Sequence, residues 1–122
     1  MPTSDLRPDD GELIVLSVLA DGPQYGYAIT KAVAARSSGD IRLTPGVLYP
    51  LLARLESQAL IASTWETVSS DRSDDPDRGR RRKWYRLAAK GRRRLAQRID
   101  SHRAYLSLIQ AFLPGRGKET AG

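Results

Sequence analysis

The sequence predicts a mostly α-helical domain that carries one two-stranded β-hairpin and ends in a long helix. Two observations predict this fold class. Apolar residues recur at helical spacing in four segments, and the pattern changes to alternation in two short segments before the last helix. The chain has 122 residues, of which 40% are hydrophobic and 28% charged, an ordinary composition for one folded domain.

The first helix follows a segment without any helical pattern. Residues 1–10 contain two prolines and several polar residues, so we expect a flexible N-terminal arm. Residues 12–20 (ELIVLSVLA) are apolar on almost every face, which predicts a helix that is buried on most sides. Gly22 and Pro23 end it, because glycine suits a left-handed cap and proline cannot continue a helix.

The second and third helices are predicted over residues 25–36 and 44–58. In the second, an apolar side chain recurs at every fourth position and so marks one buried face. In the third, Thr44 can cap the N-terminus and Pro45 suits the first helical position. Pro50 lies inside this helix, where we expect a kink.

The hairpin is predicted from two segments rich in β-branched and aromatic residues, 60–68 and 83–87. The polar loop between them contains no core residue and forms the tip. Four of its acidic residues could fold back on the neighbouring arginines, or the tip could be disordered: Asp71, Asp74, Asp75 and Asp77.

The last helix is predicted over residues 89–113, before Pro114 and Gly115, and residues 114–122 are expected to be a disordered tail. Six of its residues have the alternating spacing of a coiled-coil seam: Leu95, Ile99, His102, Leu106, Ile109 and Leu113. Tyr105, Leu108 and Phe112 add a second apolar stripe. One small domain cannot easily bury both stripes, so we expect a homodimer in which Leu13 and Leu16 of the first helix also contribute.

Positive charge is concentrated in one part of the chain. Residues 78–103 contain twelve Lys or Arg and one Asp, whereas residues 1–77 are net acidic. Such a basic segment is typical of proteins that bind a polyanion. The chain has no cysteine and one histidine, so we expect no metal site. It has no glycine-rich phosphate loop and no residues with the spacing of a catalytic triad, so we expect that it binds no cofactor and is not an enzyme. The sequence shows no apolar segment long enough to span a membrane and no pattern of a signal peptide. We therefore expect a cytoplasmic protein that does not contact the membrane.

Three helices followed by a hairpin with a basic tip is the order of a winged helix-turn-helix domain, expected over residues 11–88. In that fold the third helix can enter a DNA major groove. The segments GPQYGYAI (22–29), LTPGVLYPLLARLESQALI (43–61) and RRRKWYRLAAKGRRRL (80–95) resemble the PadR family of bacterial transcriptional regulators. The chain is short and has a single predicted C-terminal helix, and in this respect it resembles the smaller subfamily of the PadR family.

The predicted DNA-binding residues lie on the third helix and the hairpin. The first group lies on the exposed side of the third helix and at its N-terminus, where the backbone N–H groups favour a phosphate. The resemblance implies that Tyr49 of this group contacts the DNA backbone. The second group consists of the cations of the β-hairpin, which is the wing of such a domain, and these are expected to contact phosphates or the minor groove. Together they are Thr44, Pro45, Gly46, Tyr49, Arg54, Arg80, Arg81, Arg82 and Lys83.

The sequence therefore predicts a homodimeric, sequence-specific DNA-binding regulator, expected to be a repressor, that binds a pseudo-palindromic operator. The resemblance also implies a small aromatic or drug-like effector at the dimer interface, with Tyr105 and Phe112 as candidate pocket residues. Two alternatives stay open. The winged helix could be a protein-interaction module whose basic segment binds an acidic partner, or an architectural protein that binds DNA regardless of sequence.

Overall fold

The computed structural model describes residues 8–67, 79 and 81–115, and at residues 8 and 9 it describes the backbone alone. Four helices and three strands follow in the order α1 (Pro8–Leu19), β1 (Gln24–Tyr25), α2 (Gly26–Arg36), α3 (Pro45–Ser57), β2 (Ile61–Thr67), β3 (Arg81–Leu87) and α4 (Ala89–Gln110). Most of the expected N-terminal arm, the four acidic residues of the wing loop, Arg80 and the tail beyond residue 115 lie outside the described residues.

The core lies between α1, α2, α3 and the inner face of the sheet. It is formed by Val15, Leu16, Val18, Leu19, Ile29, Val33, Leu43, Leu48, Leu52, Leu55, Leu60, Ile61, Tyr85, Leu87 and Leu95. The helix α1 is apolar on almost every face because α2, α3, β3 and α4 of the same protomer all contact it. Leu16 is fully buried there and Leu95 nearly so. These two side chains, expected at a dimer interface, instead belong to the core of the protomer.

The sheet has three antiparallel strands in the order β1-β3-β2, rather than the two expected. The additional strand β1 is two residues long and pairs Gln24 with Tyr85 and Tyr25 with Trp84. The rings of Tyr25 and Trp84 also meet edge to face, with centroids 5.2 Å apart. Tyr25 is therefore a strand residue and the N-cap of α2, which begins at Gly26.

The bounds of several elements differ from the sequence prediction. The helix α1 begins at Pro8, four residues earlier than expected, and α4 ends at Gln110, three residues before Leu113. The strand β3 begins at Arg81, so this residue lies in the sheet and not in the loop. Thr44 is the extended N-cap residue of α3, but its hydroxyl makes no capping hydrogen bond. Instead, the Thr44 carbonyl accepts the first backbone bonds, from Val47 and Leu48.

The helix α4 rests on the turn between α3 and β2. Ala59 has a positive φ of 61°, which turns the chain and directs Leu60 into the core. The Leu60 carbonyl accepts a hydrogen bond from the Ala88 N–H at 3.0 Å. Gly91 packs so closely on this peptide that a Cβ would collide with the Leu60 oxygen and lie 2.9 Å from its carbonyl carbon. Only glycine fits here without moving the backbone.

A buried carboxylate fixes α4 to α1. Glu12 is 4% exposed and is the only buried charged side chain of the described residues. Its Oε2 accepts a hydrogen bond from Arg98 Nε at 2.7 Å and lies 3.4 Å from Arg94 Nη1. Both arginines keep about a third of their side chains exposed, so part of their charge remains hydrated. The two charge-assisted contacts hold the first half of α4 against the body of the protomer.

Gly91→Ala is expected to destabilise the protein because the new methyl group meets backbone atoms that cannot rotate away. We expect a loss of about 1–3 kcal/mol in the free energy of unfolding and a drop of about 5 °C or more in Tm. Gly46→Ala is the matched control, since its Cβ would meet only the Thr44 Oγ1 at 4.0 Å. Thermal unfolding at equal protein concentration compares them, and an unchanged Tm for Gly91→Ala would contradict the close contact.

Candidate nucleic-acid interface

A wide cleft lies between the N-terminus of α2, the helix α3 and the strands β2 and β3. It has a volume of about 740 Å³ and is lined by Tyr25, Gly26, Tyr27, Tyr49, Trp65, Arg81, Arg82, Lys83 and Tyr85. Five of these residues are aromatic and three are cationic. Aromatic faces and cations together suit a polyanion with planar groups.

Tyr49 projects from α3 into this cleft and is 49% exposed. Its ring packs on Gly26, the first residue of α2. A Cβ at Gly26 would contact the Tyr49 hydroxyl directly and lie 2.9 Å from the ring carbon Cζ that bears it. The missing side chain at Gly26 therefore makes room for Tyr49 and fixes where its hydroxyl lies.

The outer face of α3 is open to solvent. The predicted residues Thr44, Pro45, Gly46 and Arg54 are all exposed along it. Val47 is 54% exposed on the same face, although the sequence analysis did not select it. A small apolar side chain on a helix in the major groove can contact a thymine methyl group. The position of Val47 next to Gly46 in the sequence could have indicated that it lies on this face. The structure thus brings the predicted residues of α3 together on one uncovered surface.

The wing cations are held over aromatic rings. The guanidinium of Arg81 lies 4.7 Å from the centroid of Trp65, and that of Arg82 lies 4.9 Å from the centroid of Tyr25. Such stacking orients a guanidinium relative to the ring. Trp65, which lies in the first predicted hairpin segment, is 55% exposed and forms part of the cleft wall.

Tyr85 forms the floor of the cleft. Burial raises the pKa of its phenol, and the neighbouring Tyr49 and Glu56 raise it further. The phenol therefore stays neutral at physiological pH and adds no negative charge to the cleft.

The remaining predicted pairing residues of the C-terminal segment divide into two groups, and Leu113 lies beyond the end of α4 at Gln110. Ile99 and Ile109 are half-buried, whereas His102, Leu106 and Leu113 are exposed. Leu13 of α1 is half-buried and lines a separate groove of about 210 Å³ between α1 and α2. The candidate effector residues Tyr105 and Phe112 do not line that groove, and both project into solvent in the protomer. The outer half of α4, from Asp100 to Gln110, is thus left largely uncovered by the part of the chain that the structure describes.

Two classes of site are not observed in the described part of the chain. Among residues 8–67, 79 and 81–115, no cluster of His, Cys, Asp or Glu could hold a metal ion. None of the helices described is both long and apolar enough to cross a membrane.

The helices, the three-stranded sheet and the open reading face define a DNA-binding winged-helix protein. Residues 15–97 match the model of the transcriptional regulator PadR-like family. The chain therefore belongs to this family, whose members are transcription regulators rather than enzymes, and the family expected from the sequence is confirmed.

Two relatives show how far the similarity extends, and one of them is a named transcriptional regulator. The chain is 32% identical over 110 residues to the transcriptional regulator Rv3488 of Mycobacterium tuberculosis, covering 90% of this chain and 88% of the relative. It is 48% identical over 56 residues to an uncharacterized 37.1 kDa protein in a transposon of Streptomyces fradiae. That match covers 46% of this chain and 16% of the relative, so the chain spans a small part of that protein's length.

Solved structures share the fold. A PadR family transcription regulator from Clostridium difficile is 29% identical with a TM-score of 0.69, and the match covers 85% of this chain and 98% of that one. A transcriptional regulator from Clostridium thermocellum has a TM-score of 0.76 at 24% identity, with 93% of this chain and all of that chain covered. The mostly helical winged fold is thereby confirmed.

Gly26→Ala is expected to weaken DNA binding by displacing Tyr49 from the cleft. The ring end of Tyr49 is exposed and can rotate outward, so Tm should change little while affinity falls about tenfold, the worth of one hydrogen bond to a phosphate. Tyr49→Phe, which removes only the hydroxyl, should lose a similar factor. Fluorescence anisotropy measures both variants, and wild-type affinity in both would exclude a contact through Tyr49.

Proposed function

We propose that this protein is a cytoplasmic, homodimeric and sequence-specific transcriptional repressor. Each protomer inserts α3 into a major groove and lays the wing along the adjacent phosphates. The observation that carries the proposal is the continuous surface formed by the open face of α3 and the cation-lined cleft beside it. A major groove about 12 Å wide admits a helix only where that helix has such an uncovered face.

The two parts of this surface perform different tasks in the proposal. Base edges are read by α3, which presents Gly46, Val47 and Arg54. Phosphates are held by Tyr49 and Arg81 at either side of the cleft. The cations come mainly from the wing, because Arg54 is the only cation of α3. This division follows the general rule that phosphate contacts position a protein and base contacts specify the sequence.

Dimerisation in the proposal uses the outer half of α4. The helix is held to its own protomer through Glu12 and Leu95, whereas Leu106 and Leu108 of α4 and Phe112, just beyond its end, remain exposed. A two-fold pair of such helices would place two reading helices on half-sites about 34–36 Å apart or a multiple of that. Tyr105 and Phe112 would face the seam, where an aromatic effector could bind and change the angle between the reading helices.

Sequence-specific binding can be tested without knowing the operator. The full-length protein is used to select duplexes from a random library, and anisotropy then compares the selected duplex with a scrambled one over a salt series. We expect a pseudo-palindromic consensus and a preference of about 10³-fold or more. Equal, strongly salt-dependent binding to both duplexes would support an architectural protein instead. Failure to bind any duplex at low salt would favour an acidic protein partner.

Leu106→Glu is expected to convert the dimer into monomers. Leu106 is 52% exposed in the protomer, so the fold should remain intact, while the dimer loses two buried leucines worth about 1.5–3 kcal/mol each. The dimer dissociation constant should therefore rise more than about 100-fold by sedimentation equilibrium. Ser107→Glu is the control, because this exposed residue is not part of the predicted seam and lies about 100° from Leu106 around α4. Equal weakening by both variants would contradict the proposed seam.

A further inference from the structure

One carboxylate at the C-terminal end of α3 is connected to both long strands of the wing. Glu56 Oε2 accepts a hydrogen bond from the Ser63 hydroxyl on β2. Glu56 Oε1 lies 3.5 Å from the Nζ of Lys83 on β3. We refer to these three residues as the wing bracket. No residue of the bracket was assigned this role from the sequence, which placed Lys83 among the DNA contacts.

The register of the sheet explains how a single side chain reaches both strands. Ser63 pairs with Tyr85, and Lys83 pairs with Trp65, so Ser63 and Lys83 are diagonal neighbours on one face of the sheet. This is the face on which Tyr85 is buried and against which α3 packs. The bracket therefore joins the end of α3 to the wing across that interface.

The ammonium of Lys83 is surrounded by groups of its own chain. Besides Glu56, it lies 5.5 Å from the ring centroid of Tyr85 and 5.7 Å from that of Trp65. The side chains of Lys83 and Glu56 are only 33% and 35% exposed. Arg81, two residues earlier on the same face, is exposed instead. Neighbouring cations of one strand are thus placed in different surroundings.

We propose that Glu56 is a positioning residue for DNA recognition and that Lys83 is its internal partner rather than a phosphate contact. The bracket holds the wing at a fixed angle to α3, so that groove and phosphate contacts form together on the correct sequence. This inference rests on the proposed function. Lys83 also neutralises Glu56, which would otherwise repel the phosphates from within the interface.

A lost phosphate contact and a lost positioning contact have different effects on the salt dependence of binding and on the sequence preference. Loss of a phosphate contact weakens binding to every duplex and lowers the salt dependence, by about 0.9 in the slope of log K against log salt. Loss of a positioning contact leaves the number of bound phosphates unchanged. It reduces the preference for the correct sequence, because the wing and α3 no longer bind at once.

The test measures affinity for the selected operator and for a scrambled duplex across a salt series. Arg81→Met should lower the salt slope by about 0.9 on both duplexes. Lys83→Met should leave the slope unchanged and reduce the sequence preference at least fivefold. Glu56→Gln keeps an acceptor for Ser63 but releases Lys83, so the preference should fall while the slope stays or steepens. The double variant should lose no more preference than Lys83→Met alone, because both changes remove one interaction.

The same comparison can overturn the inference. A slope lowered by Lys83→Met as much as by Arg81→Met would show that Lys83 contacts phosphate. An unchanged sequence preference in Glu56→Gln would show that the bracket does not position the wing.

A measurement without DNA separates this inference from the proposed function. The four proteins of the Glu56 and Lys83 double-mutant cycle are unfolded in urea at one protein concentration. We expect a coupling of about two- to fivefold in the unfolding equilibrium constant, as for a partly exposed ion pair. Additive effects would overturn the bracket even if the wild type binds its operator. Clear coupling with no binding to any duplex would reject the DNA-binding proposal and the role of the bracket in it.

Discussion

The close approach of Gly91 to the peptide of Leu60 is the contact on which the placement of the functional elements depends. Leu60 follows the end of α3 and precedes the first residue of β2, while Gly91 lies in the first turn of α4. One backbone contact therefore joins the reading helix, the wing and the last helix at a single point. Lys90 reinforces it by donating to the Gln58 carbonyl at 2.9 Å. A larger residue at position 91 would move all three elements relative to one another.

Most of the fold could be predicted from the sequence because its signals are local. The periodicity of α2 and α3, the alternation of the hairpin and the start of α4 at Ala89 each depend on a few neighbouring residues. The strand β1 could not be predicted, since two residues show no alternation and Tyr25 also fits the helical pattern that follows. Pairing with β3, some sixty residues later, decides its conformation.

The candidate site was predictable in its residue types but not in its partners. Charge clustering selected Arg81 and Lys83 equally, because a sequence does not show which cation faces a carboxylate of the same chain. The structure distinguishes them through Glu56, which lies next to Lys83 and carries no distinguishing pattern in the sequence. Leu16 illustrates the same limit, since an apolar helix does not indicate whether its own protomer or a partner covers each face. The ion pair of Glu12 with Arg98 could not be predicted either, because the two residues lie far apart in the sequence.

The separation of α4 into two halves has a consequence for how such regulators diversify. Its first half carries the contacts to Leu60 and Glu12, whereas the described residues from Asp100 onward are exposed except for the half-buried Ile109 and Gly115. Substitutions in the outer half therefore place little demand on the stability of the protomer. In the proposed dimer, two copies that arise by gene duplication could acquire incompatible outer halves and stop forming mixed pairs, while each keeps its core and its proposed reading surface intact. Partner choice can then evolve separately from operator choice.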